Sequence, residues 1–361
     1  STREIRCAGN NTLGQLGRSS GATNSFAAAI NFSTRTPVAI ASAKFGQFSC
    51  AILNDSGAST SGHVHCWGLN TSGQLGNGST STPAVGTVVA VSKGAFSGSN
   101  ANVFALATGF QHTCAIQNQG SGVNTVYCWG DGSLGKLGHN SLSNSSVPVA
   151  VDASQLGTNV LQIAAGYNHT CALRSGGDVF CWGDNSVGQL GIGSTTSTSV
   201  PAQVSGINAN AVQITAGANH TCALLNNFSV FCWGLGNTGQ LGVGSVTTND
   251  QSVDDCNSGI GAVNVTFCKK SPTAVTFPAA IISPSAAPAV VSISAGEAHT
   301  CALSIQGTSY CWGNNTSGQL GTSNTQQVSS PAYICNSSAS CNASTQLTSP
   351  RPRMCSKYVI P

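Results

Sequence analysis

The sequence predicts an all-β chain built from repeats, and three observations predict it. A phrase centred on Cys-Trp-Gly and Gly-Gln-Leu-Gly returns along most of the chain, which marks a repeat architecture. Short apolar runs bounded by turn residues precede the copies, as strands require. Cysteines flank those turns in pairs, spaced for the two arms of a hairpin.

In chain order, a first copy reads Cys7-Ala8-Gly9 followed by Gly14-Gln15-Leu16-Gly17, with Ala8 where the others carry Trp. The phrase then returns at Cys66-Trp67-Gly68 with Gly73 to Gly76, and at Cys128-Trp129-Gly130 with Gly135-Lys136-Leu137-Gly138. Further copies stand at Cys181, Cys232 and Cys311, each followed by its own Gly-Gln-Leu-Gly. Upstream lies a second phrase, His-Thr-Cys-Ala, at His112, His169, His220 and His299, degenerate at Phe48-Ser49-Cys50-Ala51. Val160-Leu161-Gln162-Ile163 and Val212-Gln213-Ile214 read as strands buried on both faces. Cys171-Ala172-Leu173 and Val179-Phe180-Cys181 flank Ser175-Gly176-Gly177-Asp178, a hairpin turn by composition. Asn11, Asn70, Gly132, Asn185, Gly236 and Asn315 occupy one repeat position, and that alternation predicts a left-handed backbone there. Glycines of the Gly-Gln-Leu-Gly phrase are expected to permit close approach between neighbouring sheets.

Composition bounds the function classes. A length of 361 residues ordinarily implies two or three domains,; the repeat converts it into one domain, 1–361. Charged residues are 6% of the chain and the net charge is +3, while 50 Ser, 33 Thr, 30 Asn and 43 Gly supply the polarity. Nucleic-acid binding needs clustered Lys and Arg, so it is excluded. Disorder is excluded by a normal apolar content. No apolar run reaches the ~18 residues of a membrane span, and Ala279–Val291 is broken by Pro284 and Pro288. Sixteen cysteines point to an oxidising compartment,. The sequence as given opens at Ser1 without a basic-then-apolar leader, so a secreted form is expected to have shed one.

The paired phrases resemble the RCC1-like (regulator of chromosome condensation) repeat family, and the cysteine-bearing form resembles secreted, bacterial-type members. The resemblance implies a single closed β-propeller. Gaps from each Gly-Gln-Leu-Gly to the next His-Thr-Cys cysteine are 31 to 38 residues, except 59 between Gly242 and Cys301. The count is therefore six blades, or seven if the insertion 243–285 forms one. The segment around Cys355 completes the N-terminal copy, so both chain ends share the first blade. Expected disulfides are Cys50–Cys66, Cys114–Cys128, Cys171–Cys181, Cys222–Cys232 and Cys301–Cys311 in hairpins, with Cys7–Cys355 closing the ring. Cys256–Cys268 lies in the insertion and Cys335–Cys341 in the loop 331–350.

Sites are weighed against ordinary structural roles. The His-Thr-Cys histidines, at equivalent places around a ring, are read as making a repeated structural hydrogen bond next to a strand start. His63-Val64-His65 sets two imidazoles on one strand face, but one repeat only shows it, so it is not read as a metal site. Asn249, Asp250, Asp254 and Asp255 match no calcium-loop spacing and are read as a solvated acidic loop. Asp131 and Asp184 suit turn chemistry. No nucleophile–base set or phosphate loop emerges, so neither catalysis nor a cofactor or metal is expected. Aromatics outside the repeat, Phe26, Phe32, Phe96, Phe110, Tyr167, Phe267 and Phe277, show no cluster.

Fourteen Asn-x-Ser/Thr acceptor sequons are present,. The candidates for N-linked sugar are Asn31, Asn54, Asn70, Asn77, Asn144, Asn227, Asn264, Asn336 and Asn342, and Ser194–Ser199 is a candidate for O-linked sugar. These features predict an extracellular, glycosylated structural or interaction protein, a self-assembling subunit of a surface filament or coat. The alternative is a secreted binding module, a protein inhibitor or a lectin. What the resemblance implies of nuclear GTPase exchange and chromatin binding fits poorly, because the chain lacks a basic tail and carries disulfide-spaced cysteines.

Overall fold

A computed structural model of the chain describes residues 4–18, 30, 32, 35–44, 46–55, 62–96, 102–207, 210–244, 254–256, 267–278 and 288–334. Cys335, Cys341, Cys355, Phe26, Asn31, Asn264, Asn336, Asn342, Asn249 and Asp250 lie outside the described residues. The chain divides into two compact units. The first is Ser1–Ser175 with Val179–Asn185 and Thr196–Gln203, and the second is Gly176–Asp178, Ser186–Thr195 and Val204–Pro361.

Among the described residues the first unit contains three four-stranded sheets, each antiparallel and laid down in chain order. They are β1 (Thr36–Ser42), β2 (Phe48–Asn54), β3 (His63–Gly68) and β4 (Val89–Ala90); then β5 (Val103–Thr108), β6 (His112–Asn118), β7 (Asn124–Gly130) and β8 (Ser145–Ala150). After a single helical turn, α1 (Ala153–Leu156), come β9 (Val160–Ala165), β10 (His169–Arg174), β11 (Val179–Gly183) and β12 (Thr198–Gln203). The second unit contains β13 (Ala211–Ala216), β14 (His220–Leu225), β15 (Val230–Leu235), β16 (Asp254–Asp255) and β17 (Phe267–Ala274) in one sheet. Its other sheet is β18 (Val290–Ala295), β19 (His299–Ser304), β20 (Ser309–Gly313) and β21 (Val328–Tyr333). Five such sheets are consistent with the blades of a β-propeller of RCC1 type.

Second and third strands are largely buried on both faces because they lie mid-sheet, β19 being half-buried on one face. Within each pair the cysteines stand directly opposite: Cys50 to Cys66, Cys114 to Cys128, Cys171 to Cys181, Cys222 to Cys232 and Cys301 to Cys311. All five pairs are disulfides, with Cα atoms 4.0–4.1 Å apart. Fourth strands carry Pro148, Pro201, Pro272 or Pro331, each inside a register shift opposite the third strand's Trp. Proline lacks the N–H for a ladder bond, so it is tolerated where the ladder is already broken.

Each Trp is fully buried and joins its sheet to the preceding repeat. In the first unit the indole N–H of Trp67, Trp129 and Trp182 donates to the backbone carbonyl of Gln15, Gln74 and Lys136, at 2.9 to 3.0 Å. In the second, Trp233 and Trp312 donate likewise to Gln189 and Gln240. The glycine closing the phrase makes room: at Gly138, φ +70°, a Cβ would lie 2.6 Å from the Trp182 Nε1. Of the insertion 243–285, the described residues form β16 and β17. β17 is the fourth strand of its sheet, and Cys256–Cys268 ties β16 to it. They form no further four-stranded sheet.

Two expectations are corrected. Asn11, Asn70, Asn185 and Asn315 do not have positive φ, and neither do Gly132 (φ −95°) and Gly236. The Asn side chain is what matters. Asn70 Oδ1 accepts from Leu75 N–H at 2.9 Å, and its Nδ2 donates to the Ser79 and Ser81 carbonyls, framing the loop. Where glycine replaces it, other groups fill the space. A Cβ on Gly132 would meet the Ser143 carbonyl and one on Gly236 the Phe267 ring. Second, the first strands are not buried on both faces, as the next section shows.

Candidate functional site

Every first strand carries a β-bulge near its start, at the third residue of β1 and the second residue of the others. Pairing jumps from Pro37 to Ala39, Val103 to Ala105 and Val160 to Gln162 in the first unit. In the second unit it jumps from Ala211 to Gln213 and from Val290 to Ser292. A bulge leaves one residue unpaired and re-aims its side chain. The residues that the register skips are Val38, Phe104, Leu161, Val212 and Val291, all apolar. Phe104 is 44% exposed, Leu161 53% and Val212 54%, while Val38 and Val291 are half-buried. In the second unit the β14–β15 and β19–β20 hairpin tips, which adjoin this end of their sheets, add exposed Phe228 and Ile305. Scattered exposed apolar residues are ordinary; one at the same bulge of successive strands is a repeated feature of the surface.

His112, His169 and His220 are buried inside the sheets, and His299 is half-buried. Thr170 Oγ1 donates to the Lys136 carbonyl at 3.0 Å, which uses its one hydrogen, so it accepts from His112 Nε2–H at 2.9 Å,. Thr300 does the same between the Gln240 carbonyl and His220 Nε2–H. The second nitrogens, His112 Nδ1 and His220 Nδ1, are buried without a partner among the described residues. Burial pushes the His112 pKa down to about 3 and that of His169 to about 4, with the Lys136 charge adding at His112. These are neutral linking groups.

His63 and His65 do not form a metal pair. Asp55 bridges His63 to Arg35: Arg35 Nε donates to Asp55 Oδ1 at 2.8 Å, and His63 Nε2 meets Asp55 Oδ2 at 3.0 Å. Arg35 Nη1 donates to His65 Nε2 at 3.3 Å, so the lone pair a metal would need is taken by a cation. Burial, then the Arg35 and His63 charges, bring the His65 pKa down to about 4. Among the described residues no group of three His, Cys, Asp or Glu is placed to hold a metal ion, and no helix is long and apolar enough to cross a membrane. Asp254 and Asp255 form β16.

Lys136 stands where the other copies have Gln. Those glutamines accept, through Oε1, the backbone N–H two residues earlier, at 2.8 to 3.0 Å. Lysine cannot accept. Leu134, two residues before it, turns to φ +60°, and buried Lys136 donates instead to Asp131 and to Asn168 Oδ1. Burial alone would raise the Asp131 pKa, but Lys136 and Ser133 hold it below the ordinary value.

Aromatics outside the repeat mostly cover tryptophans: Phe32 on Trp67, Phe96 on Trp129 and Phe277 on Trp312, with centroids 5.7 to 6.1 Å apart. Half-buried Phe110 and Tyr167 stack on each other at 4.2 Å. Among the sugar candidates, Asn54 and Asn70 are buried and hydrogen-bonded. Asn77 is half-buried, and Asn144 and Asn227 are exposed.

Comparisons with known proteins agree with this architecture. The RCC1-like domain family matches residues 95–349, and the regulator of chromosome condensation (RCC1) repeat matches residues 61–116. The Ultraviolet-B receptor UVR8 of Arabidopsis thaliana is 29% identical over 301 residues, 76% of this chain and 66% of that protein. The E3 ubiquitin-protein ligase HERC2 of Homo sapiens is 28% identical over 279 residues, 76% of this chain but 5% of its own length. The chain thus spans less than two thirds of either relative. Human WBSCR16 superposes with a TM-score of 0.73 at 21% identity, covering 93% of this chain and 77% of that one. Yeast RCC1 (Prp20), crystallised with Kap60, gives 0.72 at 22% identity, covering 94% and 72%. At these identities the structures show a shared fold.

Proposed function

This chain belongs to the RCC1-like domain family, and from that premise we propose that it is an extracellular protein-interaction module that engages its partner through the bulged apolar residues. The observation that carries the reading is the apolar residue placed outward by the bulge of each first strand, Phe104 and Leu161 foremost in the first unit. Buried aromatic and aliphatic anchors dominate protein interfaces. Disulfides across the hairpin of every sheet support an oxidising, extracellular setting,. A receptor, a ubiquitin ligase and a protein crystallised with Kap60 are among the relatives and structural neighbours.

The reading assigns no catalytic step, cofactor or nucleic acid. It places six blades in one closed ring, with both chain ends in the first blade joined by Cys7–Cys355. Cys7 makes no disulfide among the described residues. The test is affinity capture with the full chain from the medium of its natural source, against Phe104→Asp/Leu161→Asp. Loss of at least about tenfold in affinity, roughly 1.4 kcal/mol, with disulfides and circular dichroism unchanged, is expected. Undiminished capture by the double variant overturns the assigned surface.

A second reading is a self-assembling subunit of a filament or coat. It is favoured by the 6% charge, which lowers the repulsion between copies,. Sedimentation that stays monomeric at high concentration counts against it.

A further inference from the structure

The fold sorts the sequons. At Asn315 the side chain is fully buried: Oδ1 accepts from Leu320 N–H at 3.0 Å, while Nδ2 donates to the Asn324 and Gln326 carbonyls and to Thr322 Oγ1. Asn70 is built the same way. Asn54 Oδ1 holds Gly62 N–H. A sugar on Nδ2 replaces an amide hydrogen and needs a path to solvent. Asn70 and Asn315 provide neither, because those hydrogens hold the loop closed, and the buried side chain of Asn54 provides no such path.

Asn227 differs on each count. It is exposed at the tip of the β14–β15 hairpin, a turn closed by Leu225 N–H to the Ser229 carbonyl and Phe228 N–H to the Leu225 carbonyl. Its sequon is Asn227-Phe228-Ser229, and the third residue already engages the first. Ser229 Oγ–H donates to Asn227 Oδ1 at 2.6 Å and Ser229 N–H donates to the same oxygen at 3.1 Å. Both bonds draw electron density toward Oδ1 and fix the amide plane. Among the described residues Nδ2 is engaged by no hydrogen bond, so modification there displaces nothing. The neighbouring Phe228 is 48% exposed, at φ +69°.

We propose that Asn227 is an N-glycan acceptor and that the frame sequons at Asn70 and Asn315, with Asn54, are closed to sugar by the fold; this rests on the extracellular reading above. The donor is a polyprenyl-diphosphate-linked oligosaccharide presented by a transferase. Nδ2 attacks the anomeric carbon, an N–C bond forms, the C–O bond to the diphosphate breaks, and the diphosphate leaves as an anion. The proton lost from Nδ2 goes to a base of the transferase. The attached sugar then lies beside Phe228, shielding an apolar tip that would otherwise face water.

The experiment takes the full chain from its natural source and treats it with peptide N-glycosidase in heavy-oxygen water, which marks each glycosylated Asn as labelled Asp. Peptide mass spectrometry under non-reducing conditions then reads sugar sites and cysteine pairing together. Label at Asn227 and none at Asn54, Asn70 or Asn315 is expected. Ser229→Ala, which keeps Asn227, is expected to lose it. An unlabelled Asn227 in a protein with paired cysteines overturns the acceptor and leaves the extracellular reading standing. Free thiols with no sugar overturn both, and label at Asn70 or Asn315 overturns the sorting.

Discussion

Single residues decide the electrostatics. His112 and His169 are held neutral with pKa values of about 3 and about 4, against an ordinary value of 6.5 that they regain on unfolding. As pH falls below 6.5 the unfolded chain therefore binds protons that the folded chain refuses. Stability is whole above pH 6.5 and declines from there toward pH 4, by about 1.4 kcal/mol per pH unit for each of these two histidines. Half-buried His65 acts in the same direction, weakened by solvent. Urea midpoints between pH 7 and pH 4 measure it, and a flat profile contradicts buried neutral rings. Lys136→Met strands Asp131 and is expected to cost about 3 kcal/mol; Asp131→Asn in the same chain should restore part of it. That a lysine stood in the glutamine position was legible in the sequence. Its partner Asn168 was not, because 32 residues and a sheet boundary separate them.

Elements carry the repeat. Hairpin registers follow from turn residues and alternation, which are local, so the hairpin and the cysteines facing across Ser175–Asp178 could be read from the sequence. Replacing Cys171 and Cys181 together by Ala leaves the ladder intact and is expected to lower stability by about 2 to 4 kcal/mol, read by thermal unfolding. Gly138→Ala is expected to cost at least about 2 kcal/mol, since it combines strain at φ +70° with a collision against Trp182,. Bulges escaped the sequence because Val160-Leu161-Gln162-Ile163 looks like any apolar run. Only pairing with Leu173 and Arg174 shows that Leu161 is skipped and turned outward.

For the whole molecule, the expected closure through Cys7 makes its own claim. Cys7→Ser should lower stability by about 6 kcal/mol, the most of any single bridge, since that loop spans nearly the entire chain. A loss no larger than at Cys171–Cys181 speaks against closure. By itself the sequence determined the all-β class, the repeat and the place of the hairpin cysteines, because periodicity, turn chemistry and spacing act over a few residues. The tertiary structure decided what depends on groups distant in the chain. It made the Asn of the repeat a loop frame instead of a left-handed residue, and it brought Phe267 into the space beside Gly236. It also turned Phe104, Leu161 and Val212 outward. Burial and exposure are properties of which surfaces meet, and no local pattern records that meeting.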